Sequence, residues 1–178
     1  MSGDLHMLRV APVRARDPEV VVLFDALTAE LGWSGYAASE TFGYSVEQLE
    51  ASAVHLVGAW VNHQLVGIGG LERQLGGIGE LKRFFVRSEY RGAGVADAVL
   101  TALIRHAGEY GLDRLRLETG DKQQAAIAFY RRHGFVVVRR FGPYVHSATS
   151  VCMQRHLTPA DARRDPPPPQ ADRGGPSP

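Results

Sequence analysis

Residues 80–103, ELKRFFVRSEYRGAGVADAVLTAL, decide the fold of this chain. The pattern predicts a strand over residues 80–86, a short turn, and a glycine-containing loop over residues 91–96, RGAGVA. A helix follows the loop, because apolar residues recur at helical spacing, at Val95, Val99, Ala102 and Leu103. In this order of strand, loop and helix, the loop lies at the positive end of the helix.

The loop is a candidate site for a phosphate or pyrophosphate group. Gly92 and Gly94 permit positive φ angles and a close approach of the backbone to a ligand. The free N–H groups at the start of a helix attract anions, and Arg91 adds a cation at the rim. A nucleoside-triphosphate loop is excluded because no Gly-Lys-Ser/Thr follows, and the spacing differs from the G-x-G-x-x-G of dinucleotide-binding folds. A strand–helix turn without a ligand is the alternative.

A second motif lies downstream, in residues 117–135, LETGDKQQAAIAFYRRHGF. Together the two stretches resemble the GNAT N-acetyltransferase superfamily, whose first motif, Q/R-x-x-G-x-G/A, is matched by Arg91, Gly94 and Ala96. Its second motif, A-x-x-x-Y followed by G-F, is matched by Ala126, Tyr130, Gly134 and Phe135. Both motifs occur in the expected order and separation, and a weaker resemblance extends over residues 7–157.

This resemblance implies an α/β protein with a mixed sheet. The central sheet would be mostly antiparallel with one splayed parallel pair, flanked by about four helices. Acetyl-CoA would be the co-substrate, and no metal would be needed. The contacts to it would come from Phe85, Val86, Arg91, Gly92, Ala93, Gly94, Val95, Ala96, Gln123 and Ala126. Gln123 departs from the family, since many members carry an asparagine there, which leaves the local anchoring of this helix open.

Acetyl transfer to an amine needs a base for the amine, a donor for the thioester oxygen as charge develops, and a proton for the departing thiolate. The resemblance assigns the acid to Tyr130 and the oxygen donor to the backbone N–H of Val86. Glu80, six residues before Val86, has the spacing of a catalytic glutamate of the family. Glu118, on the polar face of the next strand, is the second candidate base. Each side chain also fits a structural role, as a core tyrosine or as a strand glutamate paired with a neighbouring cation.

An aromatic segment over residues 31–44, LGWSGYAASETFGY, precedes the first strand hairpin. Trp33, Tyr36 and Tyr44, together with Phe42, could wall the acceptor site, or they could simply cover a sheet edge, because aromatic rings supply a large buried area in either case. Both interpretations stay open from sequence.

Helix boundaries are indicated by capping residues. Asp17 and Pro18 suit the start of a first helix, and Gly32 suits its end. Residues 45–48, SVEQ, match a capping box for a short second helix. Asp121 is predicted to cap the helix that carries the second motif, and the central helix is predicted over residues 95–110.

Alternation and turn residues predict the strands. They cover residues 5–15, 55–61, 65–71, 80–86, 114–119, 135–141 and 148–156. The strand–helix–strand order over residues 80–119 implies a right-handed parallel crossover. The strands before it form an antiparallel meander.

Composition bounds the class of protein. The chain has 178 residues, 44% of them hydrophobic, enough for one domain with a sizeable core. A net charge of +1 does not favour nucleic acid or an anionic membrane as partner. One cysteine fits a reducing compartment, and no apolar run suggests a leader or a membrane helix. We therefore expect a soluble cytoplasmic protein, monomer or homodimer.

Two regions are predicted: a GNAT domain over residues 1–158 and a proline-rich, disordered tail over residues 159–178. The resemblance implies an N-acetyltransferase acting on a primary amine of a small or amino-acid-like molecule, by direct attack in a ternary complex. A protein N-terminus or lysine is the second choice of substrate. A non-catalytic acyl-CoA-binding module on the same fold is the rival class.

Overall fold

The computed structural model describes residues 7–163. Within these residues, seven strands and four α-helices follow one another, with a few 3₁₀ turns between them. Their bounds are β1 Leu8–Val13, α1 Pro18–Trp33, α2 Val46–Ala51, β2 His55–Val61, β3 Gln64–Gln74, β4 Ile78–Val86, α3 Val95–Glu109, β5 Arg114–Gly120, α4 Gln124–Arg132, β6 Val136–Val138 and β7 Ser150–His156.

The strands form one sheet in the order β1-β2-β3-β4-β5-β7-β6. Only β4 and β5 run parallel, and every other neighbouring pair is antiparallel. Helix α3, which connects the parallel pair, packs with α4 on one face of the sheet, and α1 and α2 pack on the other. The predicted mixed sheet with four helices is confirmed. Over residues 7–163, no helix combines the length and the apolar character needed to cross a bilayer.

The parallel pair separates after a short contact. Backbone pairing joins Ile78, Gly79 and Glu80 of β4 to residues 114–116 of β5 and goes no further. Beyond Glu80 the two strands diverge, which confirms the splayed pair. The remaining edge of each strand faces an opening in the middle of the sheet.

A β-bulge at Arg83 accompanies this divergence. Gly70 pairs with Lys82 and Ile68 with Phe85, so Arg83 and Phe84 together face Gly69. Arg83 has a φ of 52°, unusual for a residue with a side chain. A bulge bends its strand and increases the local twist, which turns the end of β4 away from β5.

Several predicted boundaries hold and others shift. The capping box is present, with Ser45 accepting from the Gln48 N–H. Helix α1 continues through Gly32 to Trp33, so the predicted stop at Gly32 is wrong. Asp121 does not cap α4, because its carboxylate accepts a hydrogen bond from the Tyr36 hydroxyl at 3.0 Å. The strand predicted over residues 135–141 shortens to β6, since the chain turns into a 3₁₀ helix at residues 142–144, which include a proline.

Residues 159–163 pack on the rest of the domain. Asp161 begins a 3₁₀ turn, is 1% exposed, and accepts from the Arg155 guanidinium at 2.5 Å and from the Thr158 N–H at 2.9 Å. Ala162 packs directly on Gly108 of α3. The domain therefore extends to Arg163, past the boundary expected from composition. The predicted disorder of the remaining tail lies outside the described residues.

Candidate active site

A cleft of about 630 Å³ opens where β4 and β5 separate. It is lined by the loop before α3, by one face of α4, by the segment between α1 and α2, and by the diverging strand ends. Most of the sequence-predicted site residues are among these: Tyr36, Tyr44, Phe85, Val86, Arg91, Gly92, Gly94, Ala96, Gln123, Ala126 and Tyr130.

The glycine loop presents backbone rather than side chains to the cleft. Gly92 and Gly94 have φ angles of 78° and 81°, and a Cβ added to either would meet no atom within 4 Å. Helix α3 starts immediately after Gly94, so its first N–H groups point back at this open space. Ala93 does not line the cleft, and the Val95 side chain is buried in the core under α3, so these two residues offer only backbone groups.

Arg91 is held in place by two contacts. Its Nε donates to the Val86 carbonyl at 2.9 Å, and its Nη2 lies 2.6 Å from the Glu30 carboxylate of α1. The predicted cation at the rim is therefore present but paired. A phosphate at the loop would compete with Glu30 for the guanidinium.

The backbone of Val86 faces the opening. Arg87 N–H donates to the Val66 carbonyl at 2.9 Å, which makes Val86 and Gly67 a non-hydrogen-bonded pair. In such a pair the N–H and C=O point away from the partner strand. The Val86 N–H consequently points to the side of β4 from which β5 has departed.

Tyr130 lies on α4 with its ring in the core. It is 6% exposed and packs edge-on against Phe84 and Phe135. Its hydroxyl makes no hydrogen bond to any of residues 7–163. Burial raises the pKa of this phenol, so it stays protonated at neutral pH. The result is an available proton donor at the cleft wall.

Gln123 anchors the start of α4. Its side-chain amide donates to the Ser34 hydroxyl at 3.1 Å, which ties α4 to the residue that follows α1. This contact supplies an anchor for the helix at the position where many family members carry asparagine.

Glu80 differs from the expectation of a partly open carboxylate. It is 2% exposed and is not among the residues that line the cleft. Its carboxylate accepts from Lys82 Nζ at 2.6 Å, from the Tyr144 hydroxyl at 2.7 Å and from the Gln74 amide at 2.5 Å. Burial and the Glu80 charge raise the pKa of the Tyr144 hydroxyl. Glu80 thus sits behind Lys82 and Tyr144, which do line the cleft.

Glu118 of β5 lines the cleft itself. Burial raises the pKa of its carboxyl group, and the nearby Glu80 charge acts in the same direction. The Ser150 hydroxyl donates to it at 2.6 Å, which favours the charged form. The arrangement gives a carboxylate next to the cleft with increased basicity.

The residues of the aromatic segment differ in whether they line the cleft. Tyr36 is buried against Gly120 and donates to Asp121, and the Tyr44 hydroxyl donates to Glu72 at 3.0 Å. Trp33 is 86% exposed and lies outside the cleft, so the expectation that it walls the acceptor site is wrong. Its place in the last turn of α1 leaves no neighbouring element among residues 7–163 to cover the ring.

Sequence reasoning missed three residues that line the cleft, Lys82, Arg83 and Tyr144, whereas Phe42 was among the aromatic residues expected there. Strand alternation places Glu80 and Lys82 on the same face of β4, so their ion pair could have been predicted. No local signal marks Tyr144, because a loop returns it to the site from sixty-four positions beyond Glu80.

Comparison with known proteins decides the family. Residues 23–135 match the Acetyltransferase (GNAT) family model. The chain belongs to the GNAT acetyltransferase family. It is 33% identical over 139 residues to the IAA acetyltransferase of Azospirillum brasilense, a match that covers 78% of this chain and 90% of that protein.

Solved structures share the fold. A Klebsiella pneumoniae protein described as an acyl-CoA N-acyltransferase superposes with a TM-score of 0.74 at 31% identity, covering 85% of this chain and 99% of that one. The PaiA N-acetyltransferase of Thermoplasma acidophilum, solved in complex with coenzyme A, gives a TM-score of 0.68 at 18% identity, with 85% and 99% coverage. Family membership makes this chain an acetyl-CoA-dependent N-acetyltransferase.

Proposed function

We propose that the protein transfers the acetyl group of acetyl-CoA to the primary amine of a small, amino-acid-like molecule, which attacks directly in a ternary complex. One observation carries the proposal. A single cleft joins the glycine loop at the start of α3, a buried phenol without a hydrogen-bond partner in the described chain, and a carboxyl group of raised pKa.

The loop fits a pyrophosphate. Both glycine positions face open space, and the α3 N–H groups and Arg91 converge on it. When bound, acetyl-CoA supplies a thioester that is activated toward amines. The residues that hold it are the loop residues 91–96, the backbone at Phe85 and Val86, and Gln123 and Ala126 of the α4 region.

Two groups act on the reacting centre from the cofactor side. The Val86 N–H, directed into the opening, stabilises the oxygen on which negative charge develops. Tyr130 gives its proton to the departing thiolate and, because it has no hydrogen bond within the described chain to break, does so without disturbing the fold.

The base that we propose is Glu118. It lines the cleft, whereas Glu80 is enclosed by three donors and would need a relay through Tyr144 or a water. A raised pKa matches a carboxylate to the task of removing a proton from an ammonium group near neutral pH. Glu80 then holds Lys82 and Tyr144 in position.

The acceptor site suits a small molecule. Tyr36, Phe42, Tyr44 and Tyr144 enclose the cleft on the α1 side, and the rings are fixed by hydrogen bonds or edge contacts. A protein N-terminus or lysine is the second candidate, and it would have to enter between these rings.

The test is an assay of CoA release with acetyl-CoA and a panel of amines, amino acids and a lysine-containing peptide. We expect turnover with at least one small amine and none without an acceptor. Calorimetry of CoA binding accompanies it. Tight CoA binding without turnover on any amine would favour the non-catalytic binding module, and no CoA binding at all would overturn the proposal.

A further inference from the structure

The bulge in β4 places two consecutive cations on the same face of the sheet. Leu81 and Phe84 pack toward α3 and α4, whereas Lys82 lies over the Tyr44 ring at 4.4 Å and Arg83 lies over the Phe24 ring at 4.8 Å. In a regular strand, neighbouring side chains alternate between faces. The extra residue of the bulge cancels that alternation and brings both cations to the acceptor side.

The charge of Lys82 is balanced by protein groups. Its Nζ is 2.6 Å from the Glu80 carboxylate and 3.7 Å from that of Glu72, and it also approaches the Tyr144 hydroxyl at 3.2 Å. This ammonium group therefore has no need of a ligand.

The charge of Arg83 is not balanced in this way. Within residues 7–163, no carboxylate forms an ion pair with it. Its Nη2 donates to the Phe24 carbonyl at 3.2 Å and to the Thr28 hydroxyl at 3.4 Å, and its buried Nε has no partner among these residues. Burial lowers the pKa of the guanidinium, and the charge of Asp25 opposes this only in part, so an anion placed beside Arg83 would offset more of the cost of burying its charge.

The position of Arg83 relates it to the transfer site. It lies on β4 beyond Glu80, the last residue paired with β5, and Glu118 lies on β5 beyond Arg116. The two residues thus belong to opposite sides of the opening, and both line the cleft. Gly43, in the aromatic segment over residues 31–44, lies so close to Nη1 of Arg83 that a Cβ added at Gly43 would overlap with it.

We infer that Arg83 binds a carboxylate of the acceptor, so that the acceptor is an amine that also carries a carboxylate group. This inference rests on the proposed function and narrows its substrate class. The amine would reach Glu118 while the carboxylate lies against the guanidinium, whose planar fork matches a carboxylate. A monoanion suits the site better than a phosphate dianion, because the charge of Asp25 already acts on Arg83 and Glu118 lines the same cleft.

The experiment compares matched acceptors that differ only in the carboxylate: amino acids, the corresponding amines without it, and a phosphorylated amine. We expect wild-type kcat/KM to favour the carboxylate-bearing member. Arg83→Gln should lower kcat/KM for that member by roughly 10–100-fold, mainly through KM, and leave the neutral amine nearly unchanged. Arg83→Lys keeps the positive charge but lacks the planar fork of the guanidinium. Its kcat/KM for the carboxylate-bearing acceptor should lie between those of the wild-type enzyme and of Arg83→Gln.

Arg9→Gln is the matched control, because Arg9 also stacks on an aromatic ring, Trp60 at 4.1 Å, but at the far edge of the sheet. It should leave the preference intact. Equal loss for both acceptors in Arg83→Gln, or no preference in the wild-type enzyme, would overturn the inference while leaving the proposed function standing. Preference for the phosphorylated amine would also overturn it. Absence of turnover on every amine would instead remove the proposed function. If Arg83→Gln does not fold, Arg83→Lys provides the variant for the same comparison, and a wild-type enzyme without the preference still overturns the inference.

Discussion

At the scale of single residues, a substitution of Tyr130 can change catalysis without changing stability. Tyr130→Phe removes a hydroxyl that has no hydrogen-bond partner among the described residues and leaves the ring contacts in place. We expect melting temperature and CoA affinity to change little. Turnover should fall by about 10²–10⁴-fold where chemistry limits the rate, toward the lower end because the CoA thiol is itself fairly acidic.

Tyr110→Phe is the control for that variant, since Tyr110 is half exposed beyond the end of α3 and outside the cleft. It should keep full activity. Wild-type turnover in Tyr130→Phe, measured by CoA release in single-turnover mixing, would remove Tyr130 from the mechanism. Loss of CoA binding would make it a binding residue instead.

Substitution of Glu118 and substitution of Glu80 are predicted to have different effects. Glu118→Gln should lower kcat and abolish the acid limb of its pH profile, a limb that lies above the ordinary glutamate pKa of 4.5 because burial raises the pKa of Glu118. Glu80→Gln should mainly lower the melting temperature, because Lys82 loses its nearest carboxylate. The pH dependence of kcat and thermal denaturation of both variants provide the measurement. A Glu80→Gln variant with normal stability and no acid limb would reverse the assignment.

Many residues that line the cleft were predictable from sequence, but the contacts between their side chains were not. The loop glycines, Tyr130 and Ala126 follow from two local motifs. The partners of Glu80 come from β3, β4 and a loop beyond β6, so its enclosure depends on long-range packing that no local pattern carries. The same is true of the role proposed for Arg83, which depends on a β-bulge that strict strand alternation does not predict.

At the scale of elements, the loop before α3 is predicted to act through its backbone. Gly94→Val should weaken CoA binding by roughly tenfold or more, because the side chain would occupy the space open to phosphate. It should also cost about 1–2 kcal/mol of stability, since a branched residue disfavours a φ of 81°. Calorimetry and thermal denaturation measure the two effects.

Gly111→Val distinguishes the cost of backbone strain from an effect on CoA binding. Gly111 has a φ of 65°, and a Cβ added there would also meet open space, but the residue lies at the opposite end of α3. The variant should show a similar loss of stability with unchanged CoA affinity. If both variants bind CoA equally well, the loop is a turn and not a phosphate site.

The contact between β2 and α3 is predicted to be sensitive to acid. His55 and His106 stack with ring centroids 3.5 Å apart, and burial lowers the pKa of each imidazole; the charge of one further opposes that of the other. Glu109, 3.8 Å from His106, partly offsets this lowering of the pKa, whereas the charge of Arg73 on β3 adds to it. The folded protein therefore binds fewer protons than the unfolded chain below pH 6.5.

The free energy of unfolding should consequently decrease as pH falls through the unfolded-state value of 6.5 and level off below the lowered folded-state pKa values, with no effect well above 6.5. Denaturant unfolding across this range tests it, with His106→Gln expected to flatten the dependence. His63→Gln, in the β2–β3 turn, is the control and should not. A wild-type stability that is constant between pH 7 and the onset of acid unfolding would contradict the prediction.

Most helices and strands were predicted from sequence because capping residues and alternation are local patterns. The bounds of β2 match the prediction, and the capping box of α2 forms as its spacing indicates. Asp121 was misassigned because the carboxylate of a residue suited to capping is bound by a distant hydroxyl, that of Tyr36. Tertiary contacts override local preference at such positions.

At the scale of the whole molecule, the C-terminal segment is predicted to stabilise the domain. Truncation after residue 158 removes Asp161, which accepts from Arg155 and Thr158, and Ala162, which covers Gly108. We expect a loss of about 1–3 kcal/mol, or about 3–10 °C in melting temperature. Truncation after residue 163 should leave the melting temperature unchanged, because the sequence beyond it is rich in proline and has few apolar residues to bury.

A pair of point variants assigns the effect to the buried contact and not to chain length. Asp161→Asn should reproduce a large part of the loss, since Asp161 is 1% exposed and its partner Arg155 is also largely buried. Asp113→Asn, in a surface pair with Arg114, should stay close to the wild-type melting temperature. If the chain ending at residue 158 melts where the full chain does, the contacts of residues 159–163 contribute nothing to stability. If only the chain ending at residue 163 is destabilised, the tail beyond it docks on the domain.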